Sequence, residues 1–244
     1  MMKVNEFISM LKFAAEQKTL YIKGCFGSPM TAANKRRYTQ NNPYNTAAAR
    51  VKKIEAASKD TFGFDCVCLI KGVLWGWDGS KTKTYGGAKY LANGVPDVGA
   101  DSIIKQCKVA SGDFRTIVPG ALLWMKGHVG IYIGDGLAIE CTPSWDDGVQ
   151  ITAVGNIGGV AGYHTRTWSL WGMLPWVDYT EDKLPDGVVW TEMIVETPNG
   201  DITRKVRAKN IEGNWYVRLR DFDDILGIAK VSYDEKAKKP RIID

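Results

Sequence analysis

Residues 62–77 constrain the fold of this chain more than any other stretch. An aromatic and glycine-rich approach ends at Asp65, a residue type favoured at helix N-caps, and apolar residues then recur at helical spacing. The spacing predicts an amphipathic helix with one apolar stripe, made of Cys66, Leu69, Ile70, Val73, Leu74 and Trp77. We therefore expect a helix that begins at Cys66 and buries this stripe.

Cys66 is the candidate nucleophile because of its place in the first turn of that helix. Unpaired backbone N–H groups and the positive end of the helix dipole stabilise a thiolate there. Cys68 lies roughly 200° further around the helix, so only one of the two sulfur atoms can face a shared cleft. The apolar stripe selects Cys66.

A nucleophilic cysteine needs a base, and the sequence contains two histidines. His128 begins the alternating segment 128–133, which predicts a strand. It shares a face with Gly130 and Tyr132, where it would reach a helix N-terminus packed across that face. His164 lies in a loop-like segment without such framing. We predict His128 as the base, with His164 as the alternative.

Glu140 is the candidate carboxylate that orients the imidazole. A two-residue turn at Asp135-Gly136 would place Glu140 opposite Ile131, on the wrong face of the sheet. A three-residue loop, Gly134-Asp135-Gly136, would place it opposite Gly130, on the face of His128. We predict the three-residue loop. The alternative is that Glu140 is an ordinary surface carboxylate.

The order of predicted elements indicates an α+β fold, with helices first and an antiparallel sheet after them. Helices are expected over residues 3–17, 46–57 (with Thr46 as cap) and 99–109, and strands over 121–125, 128–133, 137–142, 149–154 and 172–179. A polar hinge at 180–185 divides a first domain, 1–182, from a small α+β module, 183–244. In that module we expect a hairpin over 188–196 and 202–207, strands at 214–219 and 230–233, and a helix at 220–226.

Charge and cysteine usage narrow the class of protein. Residues 1–60 hold eleven Lys/Arg against four Asp/Glu, which indicates either a solvated surface or attraction to a polyanion. No nucleic-acid-binding motif accompanies this charge, so nucleic acid is not an expected partner. No apolar run reaches ~18 residues, so no membrane span is expected. The five cysteines lack the spacing of a zinc site.

Three segments together resemble the NlpC-type cell-wall cysteine peptidases, which are papain-like relatives of the CHAP amidases. They are Tyr21-x-x-Gly24, Phe64-Asp65-Cys66-x-x-Leu69-Ile70 and the run from Gly127 to Gly136. The family has Asp-Cys at the start of a helix, then a strand His-Val-Gly-Ile-Tyr-Ile-Gly. A polar third residue follows about a dozen positions after the His, where this chain has Glu140. The resemblance covers roughly residues 15–178.

This resemblance implies a papain-like NlpC/CHAP fold that hydrolyses an amide bond in the stem peptide of peptidoglycan. Cys66 would be the nucleophile, His128 the base and Glu140 the orienting residue, while Tyr21 would shape the oxyanion site or hold substrate and Asp65 would bind substrate. The family's favoured bond joins γ-linked D-glutamate to a diamino acid, and no metal or cofactor is required. Glu as the third residue is familiar in the CHAP branch, so an N-acetylmuramoyl-L-alanine amidase is the alternative. A non-catalytic wall-binding protein is a further one.

The remaining segments have expected roles as well. Residues 28–60 form a basic insertion relative to the family, a lid or a flap that would attract anionic wall polymers. The module 183–244 resembles the stalk-like module at the N-terminus of copper amine oxidases, without histidines for a copper site, and would serve wall attachment or self-association into a homo-oligomer. The N-terminus lacks the pattern of a signal peptide. Synthesis in the cytoplasm is therefore expected. As a phage or prophage endolysin, the protein would reach the wall by holin-type release or non-classical export.

Overall fold

The chain folds into two compact units, Met1–Thr180 and Glu181–Asp244. The structure is a computed structural model, and it describes residues 1–180, 188–195, 202–211, 214–217, 230–234 and 239–243. Helices and mostly antiparallel strands are combined in the first unit. The predicted α+β class is confirmed.

The helices of the first unit come mainly before its large sheet in the chain. They are α1 (Val4–Glu16), α2 (Ala32–Tyr38), α3 (Pro43–Thr46), α4 (Ala48–Ala56), α5 (Cys66–Leu74) and α6 (Ala100–Ile103). The helix predicted over 3–17 is confirmed as α1. The helix predicted over 99–109 is shorter, because α6 passes into a 3₁₀ turn at Ile104–Gln106.

The strands of the first unit form two main sheets and a short parallel pair. In chain order they are β1 (Met2–Lys3), β2 (Thr19–Tyr21), β3 (Phe26–Pro29), β4 (Phe62–Phe64), β5 (Ala110–Ser111), β6 (Leu122–Met125), β7 (His128–Gly134), β8 (Leu137–Thr142), β9 (Gly148–Val154), β10 (Thr165–Arg166), β11 (Leu170–Gly172) and β12 (Val177–Asp178). The large sheet has the strand order β10-β9-β8-β7-β6-β11-β5, and a small sheet has the order β2-β4-β3. Strand β4 of the small sheet is followed, after Asp65, by α5.

Helix α5 lies at the centre of the first unit. All nine of its residues are buried, so the prediction of a single apolar stripe is wrong. Val129 and Ile131 of β7 belong to the same apolar cluster as α5. On another side, an added Cβ at Gly72 would lie 2.7 Å from the carbonyl oxygen of Phe26 in β3. The helix is therefore enclosed by both sheets.

Two predicted elements differ from the structure. The backbone breaks at Ala47, so that Thr46 ends α3 instead of capping α4, and its hydroxyl donates to the carbonyl of Pro43. The strand predicted over 172–179 is two short strands, β11 and β12, with Pro175 in the gap between them. Proline lacks the N–H that a continuous ladder needs.

The second unit contains strands in its described residues. They are β13 (Val188–Val195), β14 (Ile202–Ile211), β15 (Asn214–Val217), β16 (Lys230–Asp234) and β17 (Lys239–Ile243). The pairing of β13 with β14 confirms the predicted hairpin. The helix predicted over 220–226 lies outside the described residues. Across the described part of both units, no helix has the length and apolar character needed to cross a bilayer.

Candidate active site

Asp65 fixes the start of α5 and therefore the position of Cys66. Its Oδ1 accepts a hydrogen bond of 2.7 Å from the backbone N–H of Cys68, which confirms the predicted N-cap. Its Oδ2 accepts a second bond of 2.7 Å from the N–H of Gly24. One buried carboxylate thus ties the helix to the turn that follows β2.

The thiol of Cys66 lies at the end of β7. Backbone N–H groups of Val129 and Val67 lie close enough to its sulfur to lower the pKa of the thiol. The pairing between β7 and β8 begins one residue after Val129, at Gly130. Val129 directly follows His128 in β7, so the residue next to the predicted base lies near the sulfur.

The electrostatics of Cys66 differ from the expected stabilised thiolate. Burial raises the pKa of the thiol to about 12, and the negative charge of Asp65 also raises it. Hydrogen bonds from backbone N–H groups lower the pKa by less than these two effects raise it. Cys66 is therefore a neutral thiol at rest, and it needs a base to become a nucleophile.

The sequence predicts that the helix carrying Cys66 packs on the face of β7 that carries His128, and this prediction is wrong. The His128 face of β7 does not carry α5, since Val129 and Ile131 pack on that helix from the other face. The ring of His128 stacks instead on Trp168, with centroids 5.5 Å apart and planes 11° apart. The imidazole of His128 therefore lies on the face of β7 opposite to α5, one residue along the strand from the N–H of Val129 that lies near the thiol.

Glu140 holds the imidazole. Its Oε2 lies 2.6 Å from Nε2 of His128, and its side chain is completely buried. Burial raises the pKa of Glu140, but hydrogen bonds from His128 and Arg166, together with the positive charge of Arg166, outweigh burial and lower it. Because an ionised carboxylate only accepts hydrogen bonds, Nε2 carries a proton. In the neutral ring, Nδ1 is then the nitrogen without a proton.

The register that brings Glu140 to this face is confirmed, with Glu140 opposite Gly130. The predicted three-residue loop is wrong. Gly134 pairs with Leu137 across a two-residue turn, and a bulge between Tyr132 and Gly134 supplies the extra residue. A bulge shifts the register by one residue as a longer loop would.

Three residues of the site were not found from the sequence. Thr152 Oγ1 donates to Glu140 at 2.8 Å, Arg166 Nε donates to it at 2.8 Å, and Trp168 supports the His128 ring. Thr152 lies on a predicted strand, but Arg166 and Trp168 lie in and beyond β10. That strand joins the sheet in parallel with β9, a pairing that no local pattern indicates.

Tyr21 lies beside the thiol. Burial raises the pKa of its hydroxyl, and the neighbouring Cys66 and Asp65 raise it further. Its backbone N–H donates to the carbonyl of Asp147 at 2.8 Å, and its carbonyl accepts from Arg50. Among the described residues, none forms a hydrogen bond with the Tyr21 hydroxyl, which is therefore available to a substrate.

The other candidate base, His164, occupies a different surface. Its ring is exposed and stacks on Trp145, with centroids 4.9 Å apart. Within the described residues, no group of His, Cys, Asp and Glu side chains is arranged to hold a metal ion.

Comparisons with known proteins do not identify the chain. No family model matches it, and no curated protein matches it. The functional argument therefore depends on the geometry of the site and on the motifs of the sequence.

Proposed function

We propose that this chain is a papain-like cysteine peptidase of NlpC type that hydrolyses an amide bond in the stem peptide of peptidoglycan. The observation that supports it is the pairing of His128 with Glu140 on the strand that packs against α5, the helix that carries Cys66. The thiol of Cys66 lies near Val129 of β7, the residue before Val129 is His128, and Nε2 of His128 lies 2.6 Å from Oε2 of Glu140. A thiol, an imidazole and a carboxylate in this order form a nucleophile, a base and an orienting group.

Acylation begins with transfer of the thiol proton to Nδ1 of His128. The carboxylate of Glu140 stabilises the imidazolium that forms, and the sulfur attacks the carbonyl carbon of the scissile amide. The backbone N–H of Cys66 and the hydroxyl of Tyr21 are the proposed donors to the oxyanion. His128 then gives its proton to the leaving amine, which leaves a thioester on Cys66.

Deacylation uses the same imidazole in reverse order. Neutral His128 takes a proton from water, the hydroxide attacks the thioester, and the proton returns to the Cys66 sulfur as the acid product leaves. No further reactant enters either half of the cycle.

The scissile bond separates the two candidate activities. The resemblance favours the bond between γ-linked D-glutamate and the diamino acid, whereas Glu140 as third residue favours a CHAP-type amidase. Digestion of purified peptidoglycan followed by mass spectrometry distinguishes them. A new amino terminus on the diamino acid identifies the endopeptidase, and one on the L-alanine next to muramic acid identifies the amidase. No new amino terminus would favour a non-catalytic wall-binding protein.

The remaining parts of the chain fit a bacteriolytic enzyme of phage or prophage origin. The basic residues of the segment 28–60 provide charge for anionic wall polymers. The second unit provides wall attachment or self-association. Release by a holin or non-classical export would bring the enzyme to the wall.

A further inference from the structure

A cleft of about 520 Å³ opens at the edge of the large sheet, beside β9 and the segment before β10. Nothing in the proposed hydrolysis uses it. Its walls combine aromatic rings, an amide and charged side chains of both signs: Lys12, Glu16, Gln150, Tyr163 and His164. Tyr163 and His164 are exposed at its rim.

Gln150 lines this cleft and carries an unused hydrogen-bond acceptor. The side chain is only 5% exposed. Its Nε2 donates to the carbonyl oxygens of Ser144 and Gly148 at 3.1 and 3.3 Å, which fixes the amide in place. Its Oε1 is buried and has no hydrogen-bond partner among the described residues. A buried acceptor without a partner is unfavourable unless a ligand or an ordered water supplies a donor.

Trp145 extends the aromatic surface next to the cleft. Its side chain is 43% exposed, and its φ of 57° lies in the left-handed region that a bulky residue rarely adopts. One contact of the indole is the parallel stack on His164, and another is the guanidinium of Arg166, 4.8 Å from the ring centroid. Strained backbone that presents an aromatic side chain to solvent is typical of binding sites.

We propose that this cleft binds an N-acetylated saccharide, namely the glycan strand of peptidoglycan. The choice of glycan rests on the proposed function. A pyranose ring has a C–H face whose positive polarisation complements the negative face of an aromatic ring. Its acetamido group supplies an N–H donor for Oε1 of Gln150, and Lys12 and Glu16 are partners for hydroxyl groups. Arg166 links this subsite to the active site, because it contacts Trp145 and hydrogen-bonds to Glu140.

The test is an NMR titration of the ¹⁵N-labelled full chain carrying Cys66→Ala, with a tetramer of N-acetylglucosamine that contains no peptide. We expect saturable shifts of the Gln150 side-chain amide and the Trp145 indole N–H. The dissociation constant should rise about tenfold or more when Trp145→Ala is added, and stay within twofold for Tyr90→Ala, an exposed aromatic outside the cleft. The fully deacetylated tetramer, which lacks the amide donor, should also bind about tenfold or more weakly.

Absence of saturable shifts would overturn the proposal, as would equal affinity for the acetylated and deacetylated tetramers or an unaffected Trp145→Ala variant. The titration is independent of hydrolysis because the protein lacks its proposed nucleophile. An active peptidase that ignores the tetramer would overturn the subsite alone. A chain that binds the tetramer but releases no amino groups from cell walls would overturn the hydrolase alone.

Discussion

Cys66 and Asp65 interact in two opposing ways at the start of α5. The carboxylate caps the helix and so places the thiol, yet its negative charge helps to raise the pKa of that thiol to about 12, after burial. A thiol in this state does not attack as a preformed thiolate. In the proposed mechanism, proton transfer to His128 therefore accompanies the attack, as it does for a serine nucleophile.

Asp65→Asn should therefore lower the pKa of Cys66. The amide oxygen still accepts from the N–H of Cys68, so the helix cap is kept while the negative charge is removed. The rate of alkylation by iodoacetamide, measured against pH, should rise at a lower pH than in the parent. Asp113→Asn, which removes a carboxylate that is not among the charges acting on Cys66, is the matched control. An unchanged or higher midpoint for Asp65→Asn would contradict this account of the thiol.

Glu140 should make the free energy of unfolding depend on pH in the acidic range. Its folded pKa is lowered by His128 and Arg166, which outweigh burial, so its ionised form stabilises the fold above the unfolded value of about 4.3. That stabilisation is lost as the pH falls through the lower folded value.

Glu140→Gln should cost about 3 kcal/mol at neutral pH, because it breaks a buried ion pair with Arg166. The difference in unfolding free energy from the parent should shrink as the pH falls from 6 to 3, since the parent's own carboxyl then becomes protonated. Urea unfolding at several pH values measures this. A difference independent of pH would show that Glu140 is not ionised in the folded protein.

At the scale of elements, β7 must pass very close to Trp168. An added Cβ at Gly130 would lie 3.0 Å from Cη2 of Trp168 and 3.1 Å from the carbonyl oxygen of Ile139. The Ile139 carbonyl belongs to the backbone of the paired strand β8 and cannot readily shift. The indole of Trp168 is therefore the group that must move. The indole is also the support on which the His128 ring stacks.

Gly130→Ala should therefore displace Trp168 and disturb His128. We expect a loss of about 1–3 kcal/mol in unfolding free energy and slower hydrolysis of cell walls. Gly159→Ala is the control, because an added Cβ there meets nothing within 4 Å. Parent-like activity of Gly130→Ala would mean that the stacking does not position the base.

The segment 28–60 is attached to the site by Arg50. This buried guanidinium of α4 donates to both carboxylate oxygens of Asp147, at 2.8 and 2.6 Å, and to the carbonyl of Tyr21. Asn45 adds two bonds to the backbone of Lys23, at 3.0 and 2.9 Å. The segment therefore helps to hold the strand that carries Tyr21.

Arg50→Met should loosen this attachment. Backbone amides over residues 43–56 should exchange with deuterium faster than in the parent, because Asp147 and the Tyr21 carbonyl lose a charged donor. Arg36→Met, at an exposed position, should leave the exchange unchanged. Equal exchange in the Arg50 variant and the parent would indicate that packing alone holds the segment.

The elements with local patterns were predictable from the sequence. The Asp65 cap, the start of α5 and the strands β7 and β8 follow from capping and periodicity within a few residues. The break at Ala47 does not, since a run of alanines favours a helix throughout. The predicted register of Glu140 is correct, but its predicted cause is wrong. The sequence suggests a longer turn, whereas a bulge in β7 supplies the extra residue.

At the scale of the whole molecule, the candidate site is assembled from elements far apart in the chain. Strand β2 supplies Tyr21, α5 supplies Cys66, β7 and β8 supply His128 and Glu140, and β10 supplies Arg166. Sequence motifs identified four of these residues, because each lies in or near a short recognisable run: Tyr21, Cys66, His128 and Glu140. Arg166 depends on the parallel addition of β10 to the sheet edge, which only the folded structure reveals.

The central claim is that Cys66 is the nucleophile of a wall hydrolase, and Cys68 provides a matched control two residues away in the same buried helix. The most direct measurement is the rate at which purified peptidoglycan releases new amino groups with the parent, Cys66→Ala and Cys68→Ala, each verified as folded by circular dichroism. The account predicts a loss of about 10⁴-fold or more for Cys66→Ala and a rate near that of the parent for Cys68→Ala. Equal rates for Cys66→Ala and the parent would contradict it.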